Sequence, residues 1–286
     1  MSITSERIGA LARAALEQEA RLSPKPGLVD AENSGAHADM DLDLLLKSAQ
    51  ALEPYFTAFA EQGIADAKFL PDGRIAKLRE QGIEAECAMF AASNGVNTHK
   101  GALFLLGVLC YAAGNCTANG RLTPQEICTV GARFCGGITN ELGNSAGRAF
   151  ARYGARGARG EAEDGFPHAL LALGEFSRAR EQGATEQDAW LLALMQLIAT
   201  MEDANVLARC GDGIAQSFRE RAGEIASRYP AGGTNMQDEI RMLDRDCQAW
   251  RASPGGAADV LACAMFLRNL ALTRTESCET LHPNQL

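Results

Sequence analysis

Residues 102–113, ALFLLGVLCYAA, form the longest apolar stretch of the chain. A helix that crosses a membrane needs roughly 20 apolar residues, so this stretch is too short to span one and instead predicts a buried helix. A second stretch, residues 189–201 (AWLLALMQLIATM), is apolar on nearly every side. That pattern is typical of a helix at the centre of a core. The two stretches together predict a fold built around buried helices.

The composition extends this prediction to the whole chain. Its 286 residues include 50 alanines, whereas valine (6) and isoleucine (11) together number only 17. Alanine is the strongest helix former, and β-branched residues favour strands. No long alternation of apolar and polar residues indicates a strand. We therefore predict an all-α fold: a single multi-helical bundle domain over residues 1–286, with functional loops at helix N-termini.

Three helix starts are marked by capping patterns. The segment Thr123–Glu126 (TPQE) places a cap, a proline and a reciprocal glutamate in the expected order. Thr185 with Asp188, and Thr234 with Gln237, repeat the spacing. After Thr234, apolar residues recur every three or four positions and predict one buried helix face: Ile240, Leu243, Cys247 and Trp250.

Charge and cysteine usage exclude several classes of function. The net charge of −9 and the pI near 5.1 argue against a general nucleic-acid-binding surface. Nine scattered cysteines without a C-x-x-C spacing suggest neither a disulfide framework nor a zinc site, and those inside apolar stretches, such as Cys110, Cys128 and Cys263, are expected to be buried thiols. The N-terminus has no signal-peptide pattern. We expect a cytoplasmic protein without a membrane segment.

Unusual polar chemistry is concentrated in the loops. In the first loop Pro24 and Pro26 flank Lys25 and fix the local backbone, which would present a lysine ammonium to a phosphate. His37, Asp39 and Asp41 follow at two-residue spacing and could bind a divalent metal ion. An equally simple interpretation is that Asp41, or Asp43, caps the helix that starts near Leu44.

The segment Gly95–Gly101 (GVNTHKG) leads directly into the first buried helix. A helix N-terminus offers free N–H groups and a positive dipole end, which favour anions. Lys100 adds a charge that is unfavourable for the helix itself, as is expected at a functional site. Asn97 or Thr98 could simply cap the helix, but this would leave His99 and Lys100 unexplained.

Three further loops carry charge. The segment 154–167 alternates glycine with Arg156 and Arg159, a pattern that suits phosphate, and adds acids that could bind Mg²⁺ or orient the arginines. Acids at the end of the second apolar helix, Glu202 and Asp203, need a cation or an arginine. The last loop is Ser253–Gly256 with Asp259, where Ser253 is expected to cap the final helix.

The motifs PKPGLVDxxNxGAHxDMD, ExxMFxAxxGVNTHKG, GARGEAExGFP, DxNVxxRxG and SPGGxADxL occur in this order. Together they resemble the triphosphoribosyl-dephospho-coenzyme A synthases over about residues 22–267. That family makes the prosthetic-group precursor of the acyl carrier protein of citrate lyase, and a related branch serves malonate decarboxylase. The resemblance is slightly closer to the citrate lyase branch.

The resemblance implies a pentosyltransferase reaction. The 2′-hydroxyl of 3′-dephospho-coenzyme A attacks C1″ of the ribose of ATP, adenine leaves, and the configuration at C1″ inverts. The triphosphate is then a handle that cations must grip, with Mg²⁺ sharing the task. A carboxylate should take the hydroxyl proton, and a second should stabilise the oxocarbenium-like transition state.

The resemblance also implies roles for particular residues. Candidates for catalysis are Glu86 and Asp203, as base and stabiliser, and His99, which could assist the leaving base. The expected substrate-binding residues are Lys25, Lys100, Asn97, Arg159, Glu161, Asn205 and Arg209. The expected metal ligands are His37, Asp39 and Asp41. A later transferase that loads an acyl carrier protein is the implied partner pathway, and a homodimer is a further expectation.

Two other functions fit the sequence less closely. A Mg²⁺-dependent nucleotide or ADP-ribosyl hydrolase on a helical fold would use similar acids, with water as the acceptor, but has less need of Lys25, Lys100 and Arg159. A helical scaffold protein without catalytic activity would require exposed apolar faces, whereas the unusual residues here lie in loops beside apolar helices.

Overall fold

The structure is a computed structural model that describes residues 3–69, 72, 74–141 and 156–279. Within these ranges the chain forms helices and no strand, so the all-α prediction is confirmed. Two short 3₁₀ helices, Arg74–Leu78 and Ile138–Glu141, accompany the α-helices. The α-helices are α1 (Ser5–Arg21), α2 (Leu42–Ala65), α3 (Arg79–Ala92), α4 (Lys100–Ala118), α5 (Pro124–Phe134), α6 (Gly157–Glu163), α7 (Pro167–Glu181), α8 (Glu186–Thr200), α9 (Ala204–Arg228), α10 (Thr234–Trp250) and α11 (Gly255–Glu279).

Helix α4 is the central element of the fold. It contains the apolar stretch 102–113 and is buried along nearly its whole length. Helices α1, α2, α3, α5, α6 and α11 all pack against it. The second predicted core helix is α8, which is buried between α7, α9 and α11. The assignment of residues 1–286 to one domain stays a prediction, although one apolar cluster takes side chains from α1 through α11.

Two of the predicted helix caps are confirmed, and one is wrong. Thr123 and Glu126 form a reciprocal capping box at α5. Thr185 accepts a hydrogen bond from the Asp188 N–H at α8. Thr234, in contrast, is already the first residue of α10, and the preceding residue Gly233 lies at the N-cap position with φ +112° and no side-chain cap. A backbone at this φ strongly favours glycine, so the chain enters α10 through a turn that the threonine pattern did not indicate.

Helix α4 and most of helix α11 are apolar, and both belong to the core. By length and composition alone, Lys100–Ala118 and Gly255–Thr273 are long and apolar enough to cross a membrane. However, 78% and 56% of their apolar windows are buried inside the fold, as in the core of a soluble protein. Cys110, Cys128 and Cys263, the thiols predicted to be buried, are buried, whereas Cys87 is exposed. Burial raises the pKa of the Cys110 and Cys263 thiols well above the ordinary value, so these two are unreactive.

The loop between α1 and α2 is held in place by two aspartates. Asp30 accepts hydrogen bonds from the backbone N–H of Lys25 (2.7 Å) and of two following residues. Asp244, buried on α10, accepts from the Gly27 N–H (2.8 Å), from the Asn33 amide (3.1 Å) and from a neighbouring glutamine. These hydrogen bonds therefore fasten the loop between α1 and α2 to α10.

We expect Asp244→Ala to destabilise the protein by about 3 kcal/mol, because it leaves the buried Gly27 N–H without an acceptor and frees the loop. The matched control is Asp246→Ala on the same helix. Asp246 is 44% exposed and pairs with Arg221, so its loss should cost at most about 1 kcal/mol. Denaturant unfolding of both variants measures the difference. Equal losses would mean that Asp244 does not hold the loop.

Candidate active site

Three α-helices begin at one cavity of about 750 Å³. The first residues of α4, α7 and α11 line it, together with α6 and the segment that precedes α9. Helix N-termini carry partial positive charge and unpaired N–H groups, so the cavity wall favours anionic ligands. This arrangement follows from the fold, because α4 and α11 both run into the core from this side.

The cavity brings together residues from motifs that are far apart in the sequence. The predicted site residues that line it are Lys25, His37, Asp39, Asn97, His99, Lys100, Glu161, Asp203 and Arg209. Three others are described but do not line it: Asp41, Glu86 and Arg159. Asn205 lies in α9, and its side chain falls outside the described part of the structure.

Lys25 is buried, with only 1% of its surface exposed. Its ammonium contacts the Glu19 carboxylate at 2.5 Å and the Glu19 carbonyl oxygen at 2.6 Å. A buried ammonium needs such partners because desolvation is costly. The stiff loop therefore inserts Lys25 into the wall of the cavity and does not present a free ammonium to it.

Lys100 and Glu86 form an ion pair at the edge of the cavity. Lys100 is 54% exposed and lines the cavity, whereas Glu86 does not. The Asn97 side chain accepts a hydrogen bond from the Lys100 N–H (3.2 Å), so Asn97 also caps α4, as the simpler interpretation proposed. An incoming phosphate would compete with Glu86 for the Lys100 ammonium.

His99 is a neutral histidine in the cavity wall. Its Nε2 lies 3.0 Å from the Leu45 carbonyl oxygen, which can only accept, so Nε2 carries the proton. Burial lowers the pKa of His99 to about 4. At neutral pH the imidazole therefore has no second proton to donate, and its Nδ1 is a hydrogen-bond acceptor.

The three predicted metal ligands do not form a cluster. His37 contacts Ser253 Oγ through Nε2 (2.7 Å) and Asp39 through Nδ1 (3.5 Å), while Asp41 caps α2 by accepting from the Leu44 N–H (2.9 Å). Among the described residues, no group of three or more His, Cys, Asp or Glu is placed to hold a metal ion. Asp39, which is 62% exposed, remains accessible at the cavity.

The contact with His37 also corrects the predicted role of Ser253. Helix α11 begins at Gly255, and the carbonyl of Pro254 accepts its first backbone hydrogen bonds. Ser253 is therefore not the N-cap that the sequence suggested. Its hydroxyl joins the last loop to the first loop across the cavity.

A histidine–carboxylate pair that the sequence did not suggest lies on the opposite wall. The buried Glu161 accepts from the His168 N–H (2.9 Å) and the Ala169 N–H (3.1 Å), and its second oxygen lies 2.7 Å from His168 Nδ1. The hydrogen bond to Glu161 raises the pKa of His168. Its Nε2 has no hydrogen-bond partner within the described ranges. One signal was available: a histidine in the first turn of a helix is unfavourable without a nearby acid.

Two aspartates occupy the floor of the cavity near the start of α11. Asp203 accepts from the Val206 N–H (3.3 Å) at the start of α9 and from the Gly256 N–H (2.8 Å). Asp259, one turn after Gly256, accepts from the Ala102 N–H in the first turn of α4. Burial, and then the nearby carboxylates of Glu19 and Asp203, raise the pKa of Asp259 well above its ordinary value.

Residues 5–277 match the family of ATP:dephospho-CoA triphosphoribosyl transferases (CitG). The chain belongs to this family. It is 39% identical to a 2-(5″-triphosphoribosyl)-3′-dephosphocoenzyme-A synthase of Haemophilus ducreyi, over 93% of this chain and 89% of that protein. A solved structure described as a triphosphoribosyl-dephospho-coA synthase of Archaeoglobus fulgidus is 21% identical, with a TM-score of 0.47, and covers 78% of this chain and 96% of that one.

Family membership confirms the resemblance on which the sequence interpretation rests. Every residue that lines the cavity falls within the matched range.

We expect His168 to titrate above its ordinary pKa of 6.5, and Glu161→Gln to lower that pKa because the substitution removes the charged partner. The measurement is an NMR titration of the histidine Cε1–H signals. His37 is an internal control: burial lowers its pKa, and it should not respond to the substitution. A His168 pKa that does not change in the variant would contradict the pairing.

The same pair has a consequence for stability. Because the folded-state pKa of His168 is raised, its contribution to the free energy of unfolding is complete below about pH 6.5 and is lost as the pH rises through the folded-state value. Urea unfolding of the wild type and of His168→Gln from pH 5 to pH 9 measures this contribution. If the difference in the free energy of unfolding between the two proteins does not become smaller as the pH rises, the prediction is contradicted.

Proposed function

We propose that the cavity is the active site in which the 5-triphosphoribosyl group of ATP is transferred to the 2′-hydroxyl of 3′-dephospho-coenzyme A, with release of adenine. The observation that carries this proposal is the convergence of nine predicted site residues, from four separate motifs, on one cavity in a chain of this family. Its volume of about 750 Å³ lies within the usual range for small-molecule sites, roughly 300–1,000 Å³. Such a site can enclose the reacting ends of two nucleotide substrates.

The triphosphate would lie against the cationic edge of the cavity. Lys100 and Arg209 are exposed there, and Arg209 has no ion-pair partner among the described residues. The helix N-termini add N–H donors. Lys25 contributes less than its charge suggests, since Glu19 neutralises it. Arg159 lies on α6 outside the cavity lining, with interactions of its own.

Asp203 is the carboxylate best placed to take the proton of the 2′-hydroxyl. It lines the cavity, and two backbone N–H groups hold it in one orientation. As the hydroxyl oxygen bonds to C1″, the bond from C1″ to N9 breaks and its electron pair leaves with adenine. Glu86, the other candidate base, instead holds Lys100. We propose that Glu86 acts on this lysine and not on the substrate.

Mg²⁺ would enter with the triphosphate. This ion typically uses one or two protein carboxylates and completes its coordination with water and phosphate. Asp39, exposed at the cavity, fits that requirement, whereas His37 and Asp41 are already engaged. When bound, the ion would neutralise phosphate charge. The citrate lyase or malonate decarboxylase pathway, a later acyl carrier protein transferase, the homodimer and the cytoplasmic location stay predictions.

The decisive experiment is adenine release from ATP and Mg²⁺, measured by chromatography with mass detection. We expect release only when 3′-dephospho-coenzyme A is present, together with an adduct that carries the triphosphoribosyl mass. Release without the acceptor would instead indicate a nucleotide hydrolase. No release under either condition would rule out the proposed reaction.

Substitutions distinguish the roles of the Asp203 and Glu86 carboxylates. We expect Asp203→Asn to lower kcat by about 100- to 10,000-fold, as loss of a general base does. Glu86→Gln should keep kcat within about tenfold and mainly alter the KM for ATP, because it only releases Lys100. Lys100→Ala should raise that KM by about tenfold or more, roughly 1.4 kcal/mol of binding. Steady-state kinetics, with thermal unfolding as a check of folding, measure these effects. If Glu86→Gln lost as much kcat as Asp203→Asn, Glu86 would again be the candidate base.

A further inference from the structure

We infer that Asp259 is a catalytic acid that gives its proton to the adenine ring as the bond between C1″ and N9 breaks. The inference rests on the proposed function and adds a residue for which the sequence suggested no role. It concerns the leaving group, whereas Asp203 acts on the attacking hydroxyl. The evidence lies in the position, the surroundings and the protonation state of the Asp259 side chain.

The position of Asp259 is set by close packing at the base of α4. Its carboxyl lies against Gly101, where any Cβ would collide with Asp259 Oδ2, and it accepts from the Ala102 N–H. Protein atoms surround it, and the part of the side chain that stays accessible belongs to the cavity wall. A ligand in the cavity can therefore reach Asp259, while bulk water has little access.

Two carboxylates near Asp259 disfavour its ionised form. Glu19 approaches from α1 and Asp203 from the segment before α9. The Cys263 thiol, one turn further along α11, has a raised pKa and carries no charge. Lys25 also lies in the cavity wall, and it is already paired with Glu19. No lysine or arginine forms an ion pair with Asp259 in the described part of the chain. Its raised pKa favours the neutral carboxylic acid, the form that has a proton to donate.

The other acids of the cavity suit this role less well. His99 is neutral, and its one N–H is held by the Leu45 carbonyl. His168 is the remaining alternative, because its pKa is raised and its Nε2 has no hydrogen-bond partner among the described residues. The His168 side chain, however, is 34% exposed, whereas protein atoms surround the Asp259 carboxyl.

The proton balance of the reaction fits this pair of carboxyl groups. The 2′-hydroxyl proton goes to Asp203, the oxygen bonds to C1″, and the electron pair of the breaking bond moves into the base. The Asp259 proton goes to a ring nitrogen of adenine, N7 or N3, so that adenine leaves as a neutral molecule. Asp203 then holds one proton and Asp259 none. Transfer of that proton from Asp203 to Asp259 restores the starting state.

A donor that needs no acid tests the inference. In 7-methyl-ATP the base already carries a positive charge and leaves as neutral 7-methyladenine without gaining a proton. We expect Asp259→Asn to lower kcat with ATP by about 100- to 10,000-fold and to restore it to within about tenfold of the wild type with 7-methyl-ATP. Asp203→Asn should lower kcat by a similar factor with both donors, because the 2′-hydroxyl of the acceptor must lose its proton in either case.

The outcomes are distinct. If the wild type forms no adduct, the proposed function is rejected. If the wild type forms the adduct but Asp259→Asn lowers kcat by the same factor with ATP and with 7-methyl-ATP, only the inference about Asp259 is overturned. Donor-dependent rescue of His168→Gln, and not of Asp259→Asn, would assign the acid to His168. Asn matches the neutral acid in shape and charge, so the variant should keep its melting temperature near neutral pH.

If Asp259→Asn does not fold, the wild type supplies the test. Turnover of ATP should fall with rising pH as Asp259 ionises, while turnover of 7-methyl-ATP, corrected with enzyme-free blanks, should not. Parallel profiles for the two donors would overturn the inference.

Discussion

Helix α4 is buried from Ala102 onward, whereas its first turn begins at the exposed Lys100 and opens into the cavity. The first N–H groups of any helix have no partner within the helix and must meet other polar groups or water. Here Asn97 and Asp259 supply acceptors from two other parts of the chain. The cavity exists where these groups meet, so the core packing and the placement of the active-site chemistry share one cause.

The cavity floor brings three carboxyl groups together. Glu19, Asp203 and Asp259 lie near one another, and Lys25 pairs with Glu19. Backbone N–H groups hold Asp203, and Asp259 responds by keeping its proton. Such a cluster costs stability that an apolar floor would not, which is the usual price of an active site. In return it places two carboxyl groups side by side, of which Asp259 has a raised pKa.

The sequence predicted those features that depend on local patterns. The apolar stretch 102–113 and the capping box at Thr123 involve neighbouring residues, and both were confirmed. The prediction of a cap at Thr234 was wrong because the turn before α10 depends on the conformational freedom of Gly233. The spacing of a threonine and a glutamine contains no information about that turn. The motifs also identified most of the residues that line the cavity, because the family resemblance preserves them in order.

The partners of these residues could not be predicted in the same way. The pairing of Lys25 with Glu19 depends on how α1 packs against its neighbours, and the pairing of Lys100 with Glu86 depends on the packing of α3 against α4. The raised pKa of Asp259 arises from burial and from the carboxylates of Glu19 and Asp203, which come from other parts of the chain. His168 was missed because Glu161 was considered only as a ligand for substrate or Mg²⁺. Long-range contacts of this kind require the folded structure.

The glycines beside the two aspartates have a consequence for how this sequence can vary. Gly101 and Gly256 adopt backbone conformations open to any residue, so a survey of torsion angles would class both as replaceable. Yet a Cβ at either position would run into a carboxylate oxygen, of Asp259 and of Asp203 respectively. Each glycine is thus coupled to its acid: an alanine at position 101, 2.0 Å from Asp259 Oδ2, would displace that carboxyl, and an alanine at position 256, 2.9 Å from Asp203 Oδ2, would require a smaller shift of the Asp203 carboxyl. In a collection of related chains, these two glycine–aspartate pairs should be kept or lost together.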